Sequence, residues 1–131
     1  MKTFPDIGTT GEIEFRVIGK HAIDFTNDGM PEVLCTPWLI WFLEHAAREA
    51  VLPYLEQGES TVGIHIEVDH LAATPVGQQV VCQARIVQRQ GKKFWFRLEA
   101  HDERERIATG LHQLQVIHIE RFAKRVHQKT D

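Results

Sequence analysis

Glu44 lies inside an apolar helical stretch, WLIWFLEHAAREAVLPYL, where an ionised carboxylate would lose its water. Such a carboxylate needs a partner or a purpose. Burial raises a carboxyl pKa and a nearby cation lowers it, so a half-buried Glu can serve as general base, nucleophile or proton carrier near neutral pH. The competing structural reading leaves Glu44 on a narrow polar stripe with His45, Arg48 and Glu49, opposite an unusually wide apolar arc.

His70 closes the segment VGIHIEVDH, in which side chains alternate between two faces. Ile64, Ile66, Val68 and His70 share one face, and His65, Glu67 and Asp69 share the other. His70 is therefore expected to project toward the side on which the Glu44 helix packs, where the two would make an acid–base pair. A hydrogen-bonded core histidine is the plainer alternative. His65, Glu67 and Asp69 have the residue types of a metal site, but alternate residues on an outer strand face are ordinarily solvated. A zinc site would also need convergent ligands from other segments, so no metal is expected. The other histidines, His21, His45, His101, His112, His118 and His127, form no motif, and His45 beside Glu44 is the nearest substitute for a catalytic histidine.

Thr36 and Gly63 each carry two readings. Thr36 followed by Pro37 is a helix start, with Thr capping free amides and Pro in the first turn. The same position favours negative charge and suits an acyl oxygen or a developing oxyanion. Gly63 inside a strand marks either a bulge or a close approach of ligand to backbone. A Gly-rich phosphate loop, a Ser nucleophile elbow and a spaced Cys–His pair are all absent from the sequence.

Positioning these residues requires a particular order of elements. Residues 12–25, EIEFRVIGKHAIDF, alternate in part and read as a first strand, ending at the turn formers Thr26, Asn27, Asp28, Gly29 and Pro31. The helix is expected from Thr36 to about Glu56, with Pro53 bending or ending it. After Gly58 the pattern changes from helical to alternating, and strands are expected at about 61–72, 78–90, 93–103 and 106–119. Their short turns suit antiparallel neighbours. Residues 120–131 read as a fraying helical or disordered tail.

One helix can cover one face of a five-stranded sheet, which leaves the other face and two edges. A homodimer is expected to resolve this, and the wide apolar arc suits packing on both the chain's own sheet and a partner.

The 131 residues make one domain, 1–131, with a core at about 12–119. The 15 basic and 18 acidic residues are mixed along the chain, against nucleic-acid or membrane-surface binding. Two cysteines, Cys35 and Cys82, lack metal-type spacing and fit a reduced protein. The segment MKTFPDIGTT has no signal-peptide character, and no apolar run reaches membrane-span length, so a cytoplasmic location is expected.

The strand, long helix and four strands, together with PEVLCT, Glu44 eight positions after Thr36, VLPYLE, Val62-Gly63, HLA from His70 and Val76-Gly77, resemble the fluoroacetyl-CoA thioesterase-like family of hotdog-fold thioesterases. The resemblance spans about residues 13–119. It implies an α+β hotdog fold, a long central helix wrapped by a five-stranded antiparallel sheet, and a dimer with active sites near the subunit interface. It further implies Thr36, Glu44 and His70 as the catalytic trio, with the Gly63 backbone shaping a small acyl pocket. Glu44 would be nucleophile or general base, His70 would polarise or protonate, and Thr36 would orient Glu44 and the acyl group.

The substrate implied is an acyl-CoA, hydrolysed to free acid and CoA with no separate cofactor. Arg85, Arg89, Lys92, Lys93, Arg97 and Arg121 are candidates for its phosphates. The segment DFTNDGMPEVLC is similar to the fluoroacetyl-specific member only at the Pro and Val; Phe25 and Met30 are expected at the entrance without reproducing that member's aromatic lid. Fluoroacetate specificity is therefore not carried over. The alternatives are a hydratase or dehydratase acting on acyl thioesters and a non-catalytic acyl-CoA-binding protein.

Overall fold

Residues Thr36–Val51 form a 16-residue helix, α1, in the computed structural model, which describes residues 1–130. Strand β1 (Thr10–Arg16) precedes it, and β2 (Glu59–His70), β3 (Gln79–Gln90), β4 (Lys93–His101) and β5 (Arg106–His118) follow, with helix α2 (Ile119–His127) last. All strand pairs are antiparallel, in the order β1-β3-β4-β5-β2. This is the α+β hotdog arrangement.

Alternation places one set of side chains from each strand against α1. Val80, Cys82, Ala84 and Ile86 of β3 and Phe94, Phe96, Leu98 and Ala100 of β4 are fully or almost fully buried. They meet Leu39, Leu43, Ala46, Ala47, Ala50 and Val51 of α1. Each large apolar side chain so buried stabilises the fold by about 1.5–3 kcal/mol. Strand β1 lies directly against the helix backbone, where a Cβ on Gly11 would stand 2.0 Å from the Ala46 carbonyl oxygen. Only glycine permits that approach.

The elements depart from the sequence expectations at three places, and the tail takes the helical one of its two expected forms. The first strand stops at Arg16 instead of continuing to Phe25, because Gly19–His21 turns into a short 3-10 helix in which the Ile18 amide donates to His21 Nδ1 at 3.2 Å. Helix α1 ends at Val51, and Leu52–Tyr54 tightens into 3-10 geometry at Pro53. The tail is helical to His127. Thr36 is not the cap: Cys35 holds that position in extended conformation, with no side-chain capping bond, and Thr36 is the first helical residue.

Strand β2 lies at one edge of the sheet, paired only with β5. Its register shifts between Gly63 and His65, so the glycine does mark a bulge. Beyond the bulge the alternation is as expected, with Ile66, Val68 and His70 half-buried and His65, Glu67 and Asp69 exposed. Ile64, at the bulge, leaves the apolar face and is 43% exposed. No helix among the described residues is long and apolar enough to cross a membrane.

Candidate functional site

The expected site residues assemble as two pairs. Thr36, at the start of α1, places its hydroxyl 2.8 Å from Nδ1 of His70, at the end of β2. The hydroxyl that was expected to cap the helix is thereby committed to the histidine. Nε2 of His70 is buried and finds no hydrogen-bond partner among the described residues. Burial lowers the His70 pKa, which favours the neutral ring at physiological pH. When the Thr36 O–H donates to Nδ1, Nε2 carries the proton and can donate it into a hydrogen bond.

Thr36 and Phe25 also line a cavity of about 540 Å³ with Lys20, Cys35 and Trp38. Phe25 is 56% exposed at its mouth; Met30, 49% exposed, stands outside that lining.

Glu44 sits two turns further along α1, half-buried, against the bulge of β2. It shares a cleft of about 280 Å³ with His45, Arg48, Thr61, Gly63 and His112, and an adjoining one of about 260 Å³ with residues 63–66 and His112. A Cβ on Gly63 would lie 3.4 Å from Glu44 Oε2 and 3.2 Å from His112 Cε1, so the carboxylate, the imidazole and the bare glycine backbone face one small volume. Arg48 Nη1 donates to Thr61 Oγ1 at 3.3 Å on its rim. His45 is occupied with its own helix: Nδ1 donates to the Trp41 carbonyl at 2.9 Å and the ring stacks on Trp41.

His112 is the residue that sequence reasoning passed over. It is 2% exposed on β5, between Ile66 of β2 and Phe96 of β4. Its Nδ1–H donates to the His65 carbonyl at 2.8 Å. Burial lowers its pKa, opposed by that bond and by the charge of Glu44. A signal existed: His112 has the same strand parity as the buried Leu114 and Val116.

Within one chain the two pairs stand apart. Eight residues of α1 separate Thr36 from Glu44, about 12 Å of helix rise. Seven residues of β2 separate Gly63 from His70, roughly 20 Å of strand. The expected placement of Glu44 beside His70 in one cleft is therefore not found within a single chain, because α1 and β2 run alongside each other and hold the two pairs at different points along their length.

The other candidates distribute as follows. His65 and Glu67 approach to 3.5 Å on the exposed face, with Asp69 exposed beyond them. Among the described residues no group of three or more His, Cys, Asp or Glu could hold a metal ion. Lys92 and Arg121 line a cleft of about 330 Å³ with His118 and Arg125. Arg89 packs over Phe4, and Arg97 lines a separate cleft with Glu67 and Asp69.

Comparison with known proteins gives this geometry a family. The family model for FlK, the fluoroacetyl-CoA-specific thioesterase, matches residues 17–120. The fluoroacetyl-CoA thioesterase of Streptantibioticus cattleyicolor is 41% identical over 100 residues, 76% of this chain and 72% of that protein. The solved structure of the fluoroacetyl-CoA thioesterase FlK superposes with a TM-score of 0.88 at 33% identity, covering 96% of this chain and 98% of that one. A threonine-to-serine mutant of FlK in complex with acetyl-CoA gives 0.89 at 32% identity, covering 96% and 99%. A thioesterase superfamily member from Thermus thermophilus gives 0.88 at 27% identity, covering 98% and 94%. The chain belongs to the fluoroacetyl-CoA-specific thioesterase family.

Proposed function

We propose that this chain hydrolyses a small acyl-CoA thioester as a homodimer, each active site combining Glu44 and Gly63 of one protomer with Thr36 and His70 of the other. The observation that carries this is the split of the four residues into two pairs on a strand with an open edge. β2 is 12 residues long, and its free edge exposes Ile64. A long edge of unpaired backbone amides and carbonyls calls for cover. If two β2 strands pair antiparallel about an axis at Glu67, with Ile64 as the extra residue of the bulge, inward residues stay opposite inward ones, Gly63 comes opposite the partner's His70, and the two half-sites meet. The exposed Trp41 supplies apolar surface on α1 for the same partner.

Hydrolysis forms a bond from water oxygen to the carbonyl carbon, breaks the C–S bond, and delivers a proton to the CoA sulfur. Glu44, in a low-dielectric cleft, is suited either to take the proton of an attacking water or to attack the carbon itself. The unpartnered Nε2–H of His70 is a donor for the carbonyl oxygen as it gains negative charge, held in place by Thr36. The glycine leaves Glu44 open to the reacting atoms. Relatives that act on fluoroacetyl-CoA or hold acetyl-CoA support a short acyl chain, while the exposed Phe25 and Met30 do not support a closed aromatic lid.

The cleft of Lys92, Arg121 and Arg125 gathers three cations for the CoA phosphates, with Arg121 and Arg125 nine and thirteen residues after His112. We place the activity in the cytoplasm, which suits the free thiols of Cys35 and Cys82.

Thiol release from a panel of acyl-CoAs, with wild type beside Glu44→Gln, tests this reading. Turnover of short acyl-CoAs that falls by about 10²–10⁴-fold in the variant is expected. No release from any acyl-CoA by folded wild type would favour a binding protein instead.

A further inference from the structure

Glu44 is not the sole hydrogen-bond acceptor facing the Gly63 cleft. His112 donates its Nδ1–H to the His65 carbonyl at 2.8 Å, which fixes the neutral tautomer and leaves Nε2 with a bare lone pair. The ring borders both clefts that Glu44 borders, and its Cε1, adjacent to Nε2, stands 3.2 Å from the point where a Gly63 Cβ would be. Glu44 Oε2 stands 3.4 Å from that same point. Both acceptors line the same two clefts, so a water lodged there, with two protons to give, can bond to both.

We infer that His112 is a water-positioning residue: Nε2 accepts one hydrogen bond from the hydrolytic water while Glu44 accepts the other, turning the water's lone pair toward the thioester carbon. This rests on the thioesterase reading and selects the water route over direct attack by Glu44. In the step, Glu44 takes the proton it holds by hydrogen bond, the oxygen bonds to the carbonyl carbon, and the proton passes to the departing sulfur. His112 keeps its bond to the second proton throughout and ends the step neutral.

The groups facing His112 agree with this. From α1 the cleft receives Glu44, His45 and Arg48; from β2 it receives His65, whose carbonyl holds Nδ1; from β4 the neighbour is Phe96. Burial lowers the His112 pKa and the Glu44 charge raises it, burial being the larger. The ring is thus kept as an acceptor at neutral pH. In acid it becomes a donor and that acceptor is lost.

A pair of variants separates positioning from scaffolding. His112→Asn retains a donor near Nδ1 for the His65 carbonyl and removes the acceptor; His112→Gln places an amide oxygen near Nε2 and gives up the strand contact. Measured by thiol release on the best wild-type substrate, His112→Asn should lose about 100-fold in kcat with KM within about 2-fold, and His112→Gln should stay within about 10-fold of wild type. The acid limb of log kcat against pH should lose one unit of slope in His112→Gln relative to wild type. Retained kcat in His112→Asn, or an unchanged acid slope in His112→Gln, overturns the inference while leaving the thioesterase reading intact. Absence of turnover by wild type overturns both. If His112→Asn does not fold, the slope comparison alone decides.

Discussion

Gly63→Ala puts a single methyl group where Glu44, His112 and the β2 bulge converge. Gly63 does not have positive φ, so alanine meets no backbone strain, and the loss of unfolded-chain freedom stabilises by about 0.4–1 kcal/mol. Against this, the new Cβ would stand 3.2 Å from His112 Cε1 and 3.4 Å from Glu44 Oε2. The second distance is slightly tight van der Waals contact, and the first requires the ring to yield by a few tenths of an ångström. Pinned by its bond to the His65 carbonyl, the ring resists, and overpacking of this kind costs about 1 kcal/mol. The two effects nearly cancel, so Tm should move by less than about 4 °C. Activity should not be spared. The methyl fills space beside Glu44 that the reacting atoms use, and pushing them out by about 1 Å costs about 100-fold in kcat/KM. Thermal melts and thiol release on the same preparation check this. Wild-type kcat/KM at unchanged Tm would refute the placement of the reaction at Gly63. Loss of folding would refute the packing argument.

Two further outcomes follow from charge. Arg121→Ala with Arg125→Ala should raise KM for acyl-CoA about 10-fold, leave kcat near wild type and weaken the salt dependence of KM, measured by initial rates across ionic strength. Glu59 is held down to a pKa of about 2 by the amino-terminal ammonium, the Glu56 amide and Lys92 at 3.0 Å. Because its folded pKa lies below the ordinary value of 4.5, its stabilisation is fully present above about pH 4.5 and is lost as pH falls toward 2. Glu59→Gln should therefore melt about 3–5 °C below wild type at pH 7, and the two curves should converge near pH 2.

The helix and the four following strands were legible because their periodicities are strong and change at Gly58. What the pattern could not show was where local bonds overrule it. Alternation runs on past Arg16, but Gly19 and the His21 ring turn the backbone into a 3-10 helix. Thr36 has the composition of a cap, yet its hydroxyl is taken by His70, a residue 34 positions away, and that long-range contact has no local signature. Glu44, Gly63, Thr36 and His70 were all visible by type and spacing. Their division into two pairs was not, since it depends on how far α1 and β2 extend between them. His112 was hidden by the absence of a motif, although its parity with Leu114 and Val116 marks the inward face.

The division of the site between two chains is tested most directly by mixing two inactive variants. Glu44→Gln and His70→Ala, unfolded together and refolded at equal concentration, should recover about one quarter of wild-type thiol-release activity, because half of the dimers are mixed and each mixed dimer holds one intact site of two. Recovery near that fraction, with neither variant active alone, is the predicted result. A mixture no more active than its components, with mixed dimers demonstrated, would contradict a site shared between Glu44 of one protomer and His70 of the other.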